Sequence, residues 1–291
     1  MLKSIILVAA LLMLPVSTHY VSDFIPAEIQ TMPGKILDMH GASQYSSTSI
    51  CKCGRDQVID LGSRRLFTNL WGAPSHENIS LNENCVFRSY GASFGWMWNR
   101  MDPVASGKNN VLPIYPSVAT GTDPWGGYST SSKYLPVRIM NISSFILDVR
   151  YSYSALPSSS DSVNLAYDIW ITDTDNPNPG TPRNEVMIWL NRLNVPMPED
   201  KRGEDVSDGY NTYTHYSYDG NYHAFIMNVE PSSGVKYHKA NPKKLIDYLV
   251  TKGDLSGDLW VSRIDLGSEV WKGDGKLEIQ NLNVMINNIF I

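Results

Sequence analysis

Side chains of opposite character alternate with period two along residues 163–171, and this alternation constrains the fold more than any other feature of the sequence. Successive side chains of a β-strand point to opposite faces, so alternate residues share a face. One face would be apolar, with Val163, Leu165, Tyr167, Ile169 and Ile171. The other face would be mixed, with Asn164, Ala166, Asp168 and Trp170. The segment therefore predicts a strand that buries one face and carries a carboxylate on the other.

A second segment, EVMIWL at residues 185–190, alternates in the same way. Val186, Ile188 and Leu190 form an ordinary core face, and the opposite face consists of Glu185, Met187 and Trp189. An acid beside a thioether and an indole suits neither bulk water nor a dry core, so this face is interpreted as the floor of a cleft. Carbohydrate chemistry needs this combination, because the acid can attack or donate a proton while the ring stacks on a sugar. The alternative is an edge-strand glutamate that faces solvent.

The two alternating segments are expected to be neighbours in one antiparallel sheet. They follow one another in the chain and are separated by a loop rich in Asp, Asn and Pro, residues 172–184. Their pairing would bring Asp168 close to Glu185. The alternative is that Asp168 is a strand residue facing solvent.

Other segments predict further strands of an all-β domain. Residues 87–100 place Phe94, Trp96 and Trp98 on one side of a strand, and we expect Trp98 to fill the core. Residues 145–154 alternate before the turn PSSSDS, which predicts a hairpin with the strand that follows. The many Tyr and Trp residues, 16 and 8 respectively, favour strands in the same way.

Residues 259–286 predict a strand, a turn at 273–275 and a final strand. The final strand changes register between Ile279 and Leu282, which indicates a β-bulge. Glu269 would lie near the end of the first of these strands and is the third candidate acid. Taken alone, Glu269 would be interpreted as a loop acid more often than as a catalyst, and Asp265 is the next candidate.

The sequence predicts one α-helix, at residues 241–254. Asn241 is a suitable N-cap, Pro242 suits the first helical position and Gly253 follows the end. Its buried stripe would consist of Leu245, Ile246, Leu249 and Val250.

The amino-terminal residues predict export. Lys3, an apolar run too short to span a bilayer and a patch of small residues make residues 1–18 a signal peptide. Residues 19–49 have no clear period and end in a Ser/Thr-rich stretch, so they are interpreted as a tail or linker. Residues 50–291 would form one domain, because no internal repeat divides them. We expect a secreted protein without membrane attachment after signal removal.

The charge balance excludes some classes of partner. The chain has 24 basic and 29 acidic residues, a net charge of -5, and no basic stripe with interleaved aromatic residues. Nucleic acid is therefore not expected as a partner. Few charges and many aromatic residues favour a neutral polysaccharide as the ligand, with no cofactor.

Three cysteines are present, at positions 51, 53 and 85. In an exported chain either Cys51 or Cys53 can close a loop to Cys85, and the third thiol is then left over. A metal site is the weaker alternative, because no histidines stand at zinc-like spacing. Asn78 and Asn141 begin N-x-S sequons.

Two segments carry aromatic residues suited to a cleft. Residues 64–75 set Asn69 and Trp71 two apart on one strand face, where both could reach a sugar. Residues 116–135 form a predicted long Gly/Ser/Thr loop with Trp125 and Tyr128, of the kind found at cleft rims or in disordered segments.

These pieces, in this order, resemble the glycoside hydrolase family 12 endoglucanases over most of residues 51–291. The matching segments are NLWGA at 69–73, GASFGWMW at 91–98, NLAYD at 164–168, EVMIWL at 185–190, the single helix and GSEVW at 267–271. Ser268, Val270 and Trp271 depart from the family pattern, which has Thr, Pro and Phe around the acid/base. The resemblance implies a β-jelly roll, a sandwich of two curved antiparallel sheets with the helix packed against the convex one.

The resemblance also implies roles for single residues. Glu185 would be the nucleophile, Glu269 the acid/base, and Asp168 the assistant of the nucleophile. The residues implied to line the sugar cleft are Asn69, Trp71, Asn164, Met187 and Trp189. One of Cys51 or Cys53 would bridge to Cys85. The expected protein is a monomeric, retaining endo-β-1,4-glucanase that acts on β-glucans without metal or cofactor.

A secreted jelly-roll protein that only binds carbohydrate is the alternative. Its aromatic residues would bind glycan and its acids would merely accept hydrogen bonds from hydroxyls. Fold alone does not separate the two functions, because one sandwich hosts both lectins and hydrolases. The presence of acids at all three family positions favours the enzyme, since a binding protein needs none of them.

Overall fold

The structure is a computed structural model that describes residues 49–73, 79–91, 93–101, 112–130, 133–195, 197 and 201–291. The predicted signal peptide and all of the predicted tail except residue 49 lie outside these ranges, as does Asn78. Among the described residues, no helix has the length and apolar character needed to cross a membrane.

Seventeen strands and one α-helix form within the described residues. The strands before residue 160 are β1 (Ile50–Cys53), β2 (Val58–Asp60), β3 (Arg65–Phe67), β4 (Cys85–Arg88), β5 (Phe94–Arg100), β6 (Ser117–Gly121), β7 (Val137–Arg138) and β8 (Phe145–Ala155). The next are β9 (Ser162–Thr172), β10 (Pro182–Leu193), β11 (Lys201–Ser207), β12 (Thr212–Tyr218), β13 (Tyr222–Ile226) and β14 (Val235–Ala240). The helix α1 (Pro242–Lys252) precedes β15 (Trp260–Gly267), β16 (Val270–Ile286) and β17 (Ile289–Phe290).

The strands form two sheets. Sheet I has the order β2–β3–β6–β15–β9–β10–β13–β12–β11, with β7 also paired to β15. Sheet II has the order β1–β4–β5–β16–β8–β14. Neighbours are antiparallel except β10 and β13. The long strand β16 joins the sheets, because its first residues pair with β9 and the rest with β5 and β8. This is the predicted jelly roll.

The core lies between the sheets and receives the predicted apolar faces. It includes the five apolar residues of β9, the apolar face of β10 and the tryptophans of β5. Trp98 is 2% exposed, so its predicted core role is confirmed. Each large side chain buried in this way contributes about 1.5 to 3 kcal/mol to folding.

The helix has the predicted ends. The Asn241 side chain accepts a hydrogen bond from the Lys244 backbone, Pro242 is the first helical residue, and Gly253 adopts a left-handed φ of 81°. The predicted stripe faces the core, with Val250 partly buried. The helix contacts β8 of sheet II and β11 of sheet I, rather than the convex sheet alone as the resemblance implied. It therefore covers a side of the sandwich between the two sheets.

The predicted hairpin between β8 and β9 is wrong. β8 pairs with β14 and β16 in sheet II, whereas β9 pairs with β10 and β15 in sheet I. The connection between them crosses from one sheet to the other. Both strands bury an apolar face on the same core, and an alternating pattern shows which face is buried but not which strand is the neighbour.

The predicted turn at 273–275 is also wrong, because these residues lie inside β16 and pair with β5. Between β15 and β16 the chain does not reverse either: Ser268 and Glu269 form a short irregular link, and both strands run antiparallel to β9. The glycines are needed for close packing: a Cβ on Gly273 would lie 2.1 Å from the Asp161 carboxyl carbon, and one on Gly275 would lie 2.3 Å from the Trp98 ring. The predicted bulge is confirmed by a register shift between Ile279 and Asn281.

The segment 116–135 is not a continuous loop. Its first part is β6, which pairs with β3 and β15 inside sheet I. Small and β-branched residues fit there because the strand is buried throughout. Trp125 and Tyr128 follow β6, and both rings pack on neighbouring aromatic residues, Trp170 and Phe67 respectively.

A disulfide joins Cys53 of β1 to Cys85 of β4, which are directly paired residues. Cys51 is a free and exposed thiol. The structure therefore decides between the two pairings that the sequence left open.

We expect Cys85→Ser to lower the free energy of unfolding by about 3 to 4 kcal/mol, the loop-entropy value for a bridge across 32 residues. Position 85 is chosen because Cys51 Sγ lies 3.8 Å from Cys53 Sγ and could replace Cys53 as the partner of Cys85. Urea denaturation measures the loss. Cys51→Ser is the matched control and should unfold like the parent; equal losses in both variants would contradict the pairing.

Candidate active site

Three acids lie on the face of sheet I that is opposite to the core. Asp168 of β9 is the cross-strand partner of Met187 on β10 and of Asp265 on β15. Glu185 is two residues before Met187 and shares its face. The prediction that the Asp168 and Glu185 strands are antiparallel neighbours is confirmed.

The Asp168 and Glu185 carboxyls are hydrogen-bonded to each other; Asp168 is fully buried and Glu185 is partly buried. Burial raises the pKa of Asp168 well above its usual value, and the negative charge of Glu185 raises it further. Burial also raises the pKa of Glu185, but the hydrogen bond from Asp168 lowers it. The pair therefore holds one proton on Asp168, which donates it to an ionised Glu185.

Glu269 lies in the two-residue link between β15 and β16 and is held by Asn164 of β9. The side-chain oxygen of Asn164, Oδ1, accepts a hydrogen bond from the Glu269 backbone N–H at 3.0 Å. The backbone N–H of Asn164 donates a hydrogen bond to the Glu269 backbone carbonyl, also at 3.0 Å. The Asn164 amide also donates to the Glu269 carboxyl oxygen Oε2. Burial raises the pKa of Glu269 to about 8, against the lowering effect of this last bond, and the charge of Glu185 raises it further. Glu269 is therefore protonated at neutral pH.

Apolar and aromatic side chains surround these acids. Met187 and Trp189 pack with five other buried residues on this face, namely Tyr115, Ala166, Val195, Ala224 and Ile226. The Tyr222 hydroxyl contacts the Met187 sulfur at 3.1 Å. Trp189 is only 2% exposed, so its ring packs within this cluster and does not present the open stacking face that the sequence predicted.

The NLWG segment is tied to the start of β16. The Asn69 carbonyl accepts a hydrogen bond from the Tyr115 backbone at 2.9 Å, and Asn69 has a left-handed φ of 39°. The Arg100 guanidinium donates to the carbonyls of Gly72 at 3.1 Å and Val270 at 2.8 Å. The Trp71 side chain in this segment is 38% exposed.

Sequence reasoning missed Tyr115 and Tyr222. The Tyr115 hydroxyl donates to the Ala166 carbonyl at 2.9 Å, and burial followed by the charges of the site carboxyls raises the pKa of both tyrosines. Tyr222 begins a short strand and Tyr115 precedes one, so neither stands in an alternating window that would have marked a face.

Asp265, the alternative acid, is bound to Arg263 at 2.8 Å, and both side chains are fully buried. This ion pair engages the carboxyl group with the arginine, so Asp265 is unsuited to the role of general acid.

The candidate acids are not arranged as a metal site. Among the described residues, the one group of three or more possible ligands with closely spaced donor atoms consists of Cys51, Cys53 and Cys85. Two of these thiols form the disulfide, so the group does not offer three thiolates.

Comparisons with known proteins agree with this geometry. Residues 65–287 match the family described as Glycosyl hydrolase family 12. Endoglucanase S of Pectobacterium parmentieri is 29% identical over 226 residues, which cover 75% of this chain and 80% of that protein. Xyloglucan-specific endo-beta-1,4-glucanase A of Emericella nidulans is 24% identical, with 87% of this chain and all of that protein covered.

Solved structures give the same fold. The native family 12 xyloglucanase from Bacillus licheniformis superposes with a TM-score of 0.67 and 25% identity, over 82% of this chain and 100% of that one. Endoglucanase cel12A from Rhodothermus marinus superposes with a TM-score of 0.64 at 23% identity, over 83% and 100%. The family match covers most of the chain and includes all three acids of the site, and the protein is a glycoside hydrolase that belongs to glycosyl hydrolase family 12.

Proposed function

We propose that the protein is a secreted, retaining endo-β-1,4-glucanase with Glu185 as nucleophile and Glu269 as acid/base. The observation that carries the proposal is that the two glutamates have different partners. Glu185 is hydrogen-bonded to Asp168, whereas Asn164 holds the backbone and the carboxyl group of Glu269. The pKa of Glu185 is raised to about 7 and that of Glu269 to about 8, in the order that the two roles require. A retaining mechanism needs one ionised and one protonated carboxyl at the same bond.

In the first step, a Glu185 oxygen forms a bond to the anomeric carbon. Glu269 donates its proton to the departing glycosidic oxygen, so that the leaving chain end becomes a neutral hydroxyl. Asp168 retains its proton and orients the attacking carboxylate. Asn164 holds Glu269 in place through bonds to its backbone and its carboxyl group.

In the second step, the ionised Glu269 removes a proton from water. The water oxygen attacks the anomeric carbon, the bond to Glu185 breaks, and the anomeric configuration is restored. The same carboxyl thus acts first as acid and then as base.

The names of the relatives support β-1,4-linked glucans as the substrate class, since they include an endoglucanase and xyloglucan-specific endo-β-1,4-glucanases. Asn69 and Trp71 would line the sugar cleft, and the buried side chains of Asn164, Met187 and Trp189 would support it from below. Export follows from the predicted signal peptide, and we expect the mature enzyme to act as a monomer.

The decisive experiment is digestion of soluble β-glucan, with reducing ends counted and the product anomer followed by proton NMR. We expect new reducing ends together with a rapid fall in viscosity, which indicates internal cleavage. The first product should be the β-anomer. An initial α-anomer would show inversion and would overturn the mechanism. A binding protein without catalysis would release no reducing ends.

Trp71→Ala should reduce kcat/KM on polymer by about five- to 150-fold, equivalent to about 1 to 3 kcal/mol of transition-state binding. The ring is 38% exposed, so unfolding should change little. Tyr90→Ala is the control, because that ring is 74% exposed on a turn outside the site. A large drop in melting temperature with unchanged kinetics would show that Trp71 only stabilises the fold.

The pH dependence should report the proton of Glu269. Because the pKa of this acid is raised to about 8, kcat/KM on polymer should fall as the pH rises above that value and the proton is lost. Asn164→Asp replaces the amide donor with a carboxyl of nearly equal shape, which disfavours ionised Glu269. The alkaline limb should therefore move to higher pH, and a shift to lower pH would contradict the role of Asn164.

A further inference from the structure

A buried ion triad lies beside the acid pair on the same face of sheet I. Arg263 Nε donates to Asp265 Oδ1 at 2.8 Å, and Arg263 Nη1 donates to Asp123 Oδ1 at 3.1 Å. All three side chains have no exposed surface. Asp265 is the direct cross-strand partner of Asp168, in the strand pair β15 and β9.

The triad carries more negative than positive charge. One guanidinium binds two carboxylates, and it also lies over the rings of Tyr128 and Phe67, at 4.8 and 5.4 Å. Buried charges persist when they are paired and hydrogen-bonded, as Asp265 is by Arg263. Asp265 therefore presents a fixed negative charge to the neighbouring strand.

That charge acts on Asp168. The titratable groups around Asp168 are Glu185 of β10, Asp265 and Arg263 of β15, Glu269 of the link between β15 and β16, Tyr115 before β6 and Tyr222 of β13. Burial is the largest influence that raises the pKa of Asp168, and Glu185, Asp265 and Glu269 each raise it further. Arg263 is the cation among these groups, and it binds Asp265 and Asp123.

We propose that Asp265, held in place by Arg263 and Asp123, is a positioning residue that keeps Asp168 protonated, so that Asp168 donates its hydrogen bond to Glu185. The inference rests on the proposed roles of Glu185 and Asp168, and it assigns a function to three residues that do not react. Asp123 also accepts a hydrogen bond from the Gly127 backbone at 2.8 Å, which ties the triad to the turn carrying Trp125.

The position of Asp265 opposite Asp168 explains how the proton shared by Asp168 and Glu185 can stay on Asp168. Glu185 is a nucleophile only when ionised, and Asp168 is a hydrogen-bond donor to it only when protonated. Two adjacent carboxyls share one proton without a fixed preference unless their surroundings differ. A negative charge opposite Asp168, rather than opposite Glu185, places the proton on Asp168.

The test measures kcat/KM against pH with an aryl β-cellobioside whose good leaving group needs no proton from Glu269. The pH profile of kcat/KM then reports only the titration of Glu185 and Asp168. Activity is lost at the acid limb when Glu185 gains a proton, and at the alkaline limb when Asp168 loses one. Asp265→Asn removes the fixed charge, so both limbs should move to lower pH by about one to two units.

Asp123→Asn is the graded comparison, because it leaves Asp265 opposite Asp168 but removes the excess negative charge of the triad. It should lose stability like Asp265→Asn and move both limbs in the same direction by less. Coincident profiles for Asp265→Asn and the parent, or equal shifts in both variants, would overturn the inference. Failure of the proposed function has a different signature, namely turnover of the aryl glycoside by Glu185→Ala.

A measurement on the unaltered protein covers the case in which Asp265→Asn does not fold. Carbon-13 NMR of labelled aspartate carboxyls should show a buried aspartate that remains protonated well above the ordinary pKa of an aspartate, and Asp168→Asn should remove this resonance. An Asp168 resonance that titrates at the ordinary pKa of an aspartate would overturn the inference.

Discussion

Glu185→Ala is expected to abolish turnover of every β-glucoside, with kcat/KM reduced at least about 10⁴-fold whatever the leaving group. The glycosyl-enzyme bond forms on a Glu185 oxygen, and a better leaving group does not replace the missing nucleophile. Stopped-flow measurements with an aryl β-cellobioside should therefore show no burst of phenol. The fold should persist, since the removed carboxyl packs on the side of sheet I away from the core.

Azide provides the positive result for this variant. In the space left by the carboxylate, azide can attack the anomeric carbon once and expel the aryl group, and this single inversion gives an α-glycosyl azide. Glu278→Ala is the control, because this glutamate lies on sheet II and accepts a hydrogen bond from Ser93 at 2.6 Å. A parent-like burst in Glu185→Ala would show that the nucleophile is another residue.

Glu269→Ala should separate substrates by leaving group. On glucan polymer the departing alkoxide needs a proton, so activity should fall by about 10²- to 10⁴-fold. With a good aryl leaving group the glycosyl-enzyme should still form on Glu185. It should then accumulate, because the base that activates water is absent.

Azide should accelerate turnover of the accumulated intermediate in this variant, because an anion needs no general base. Two inversions give a β-glycosyl azide, the opposite anomer to that from Glu185→Ala, and proton NMR distinguishes them. Hydrolysis of polymer at the parent rate by Glu269→Ala would place the acid elsewhere. Asp265 would be a poor replacement, since Arg263 holds it as a carboxylate.

Much of the site could be predicted because it is built on two strands with clear alternation. The faces of β9 and β10 follow from single windows, and these windows place Asp168, Glu185 and Asn164 on the face away from the core. Residues that are supported from distant parts of the chain could not be predicted in this way. Tyr115 reaches the site because its backbone binds Asn69 and its hydroxyl binds Ala166.

The errors in the fold share one cause. The β8 and β9 strands were expected to pair because they are consecutive, but they lie in different sheets. The glycines at 273 and 275 were expected in a turn, but they allow β16 to pass close to Asp161 and Trp98. In each case the local pattern correctly predicted conformation or burial. Which strand or side chain each segment contacts depends on how the two sheets pack against each other.

The sequence by itself determined the strand faces, the helix with both of its ends and the all-β class, and it supplied the three candidate acids. These are local properties, since side-chain alternation and capping depend on residues a few positions apart. The tertiary structure alone decided that Cys53 pairs with Cys85, that Trp189 is buried, and that Arg263 holds Asp265 against Asp168. Those features depend on contacts between distant segments, and such contacts exist only once the two sheets have packed.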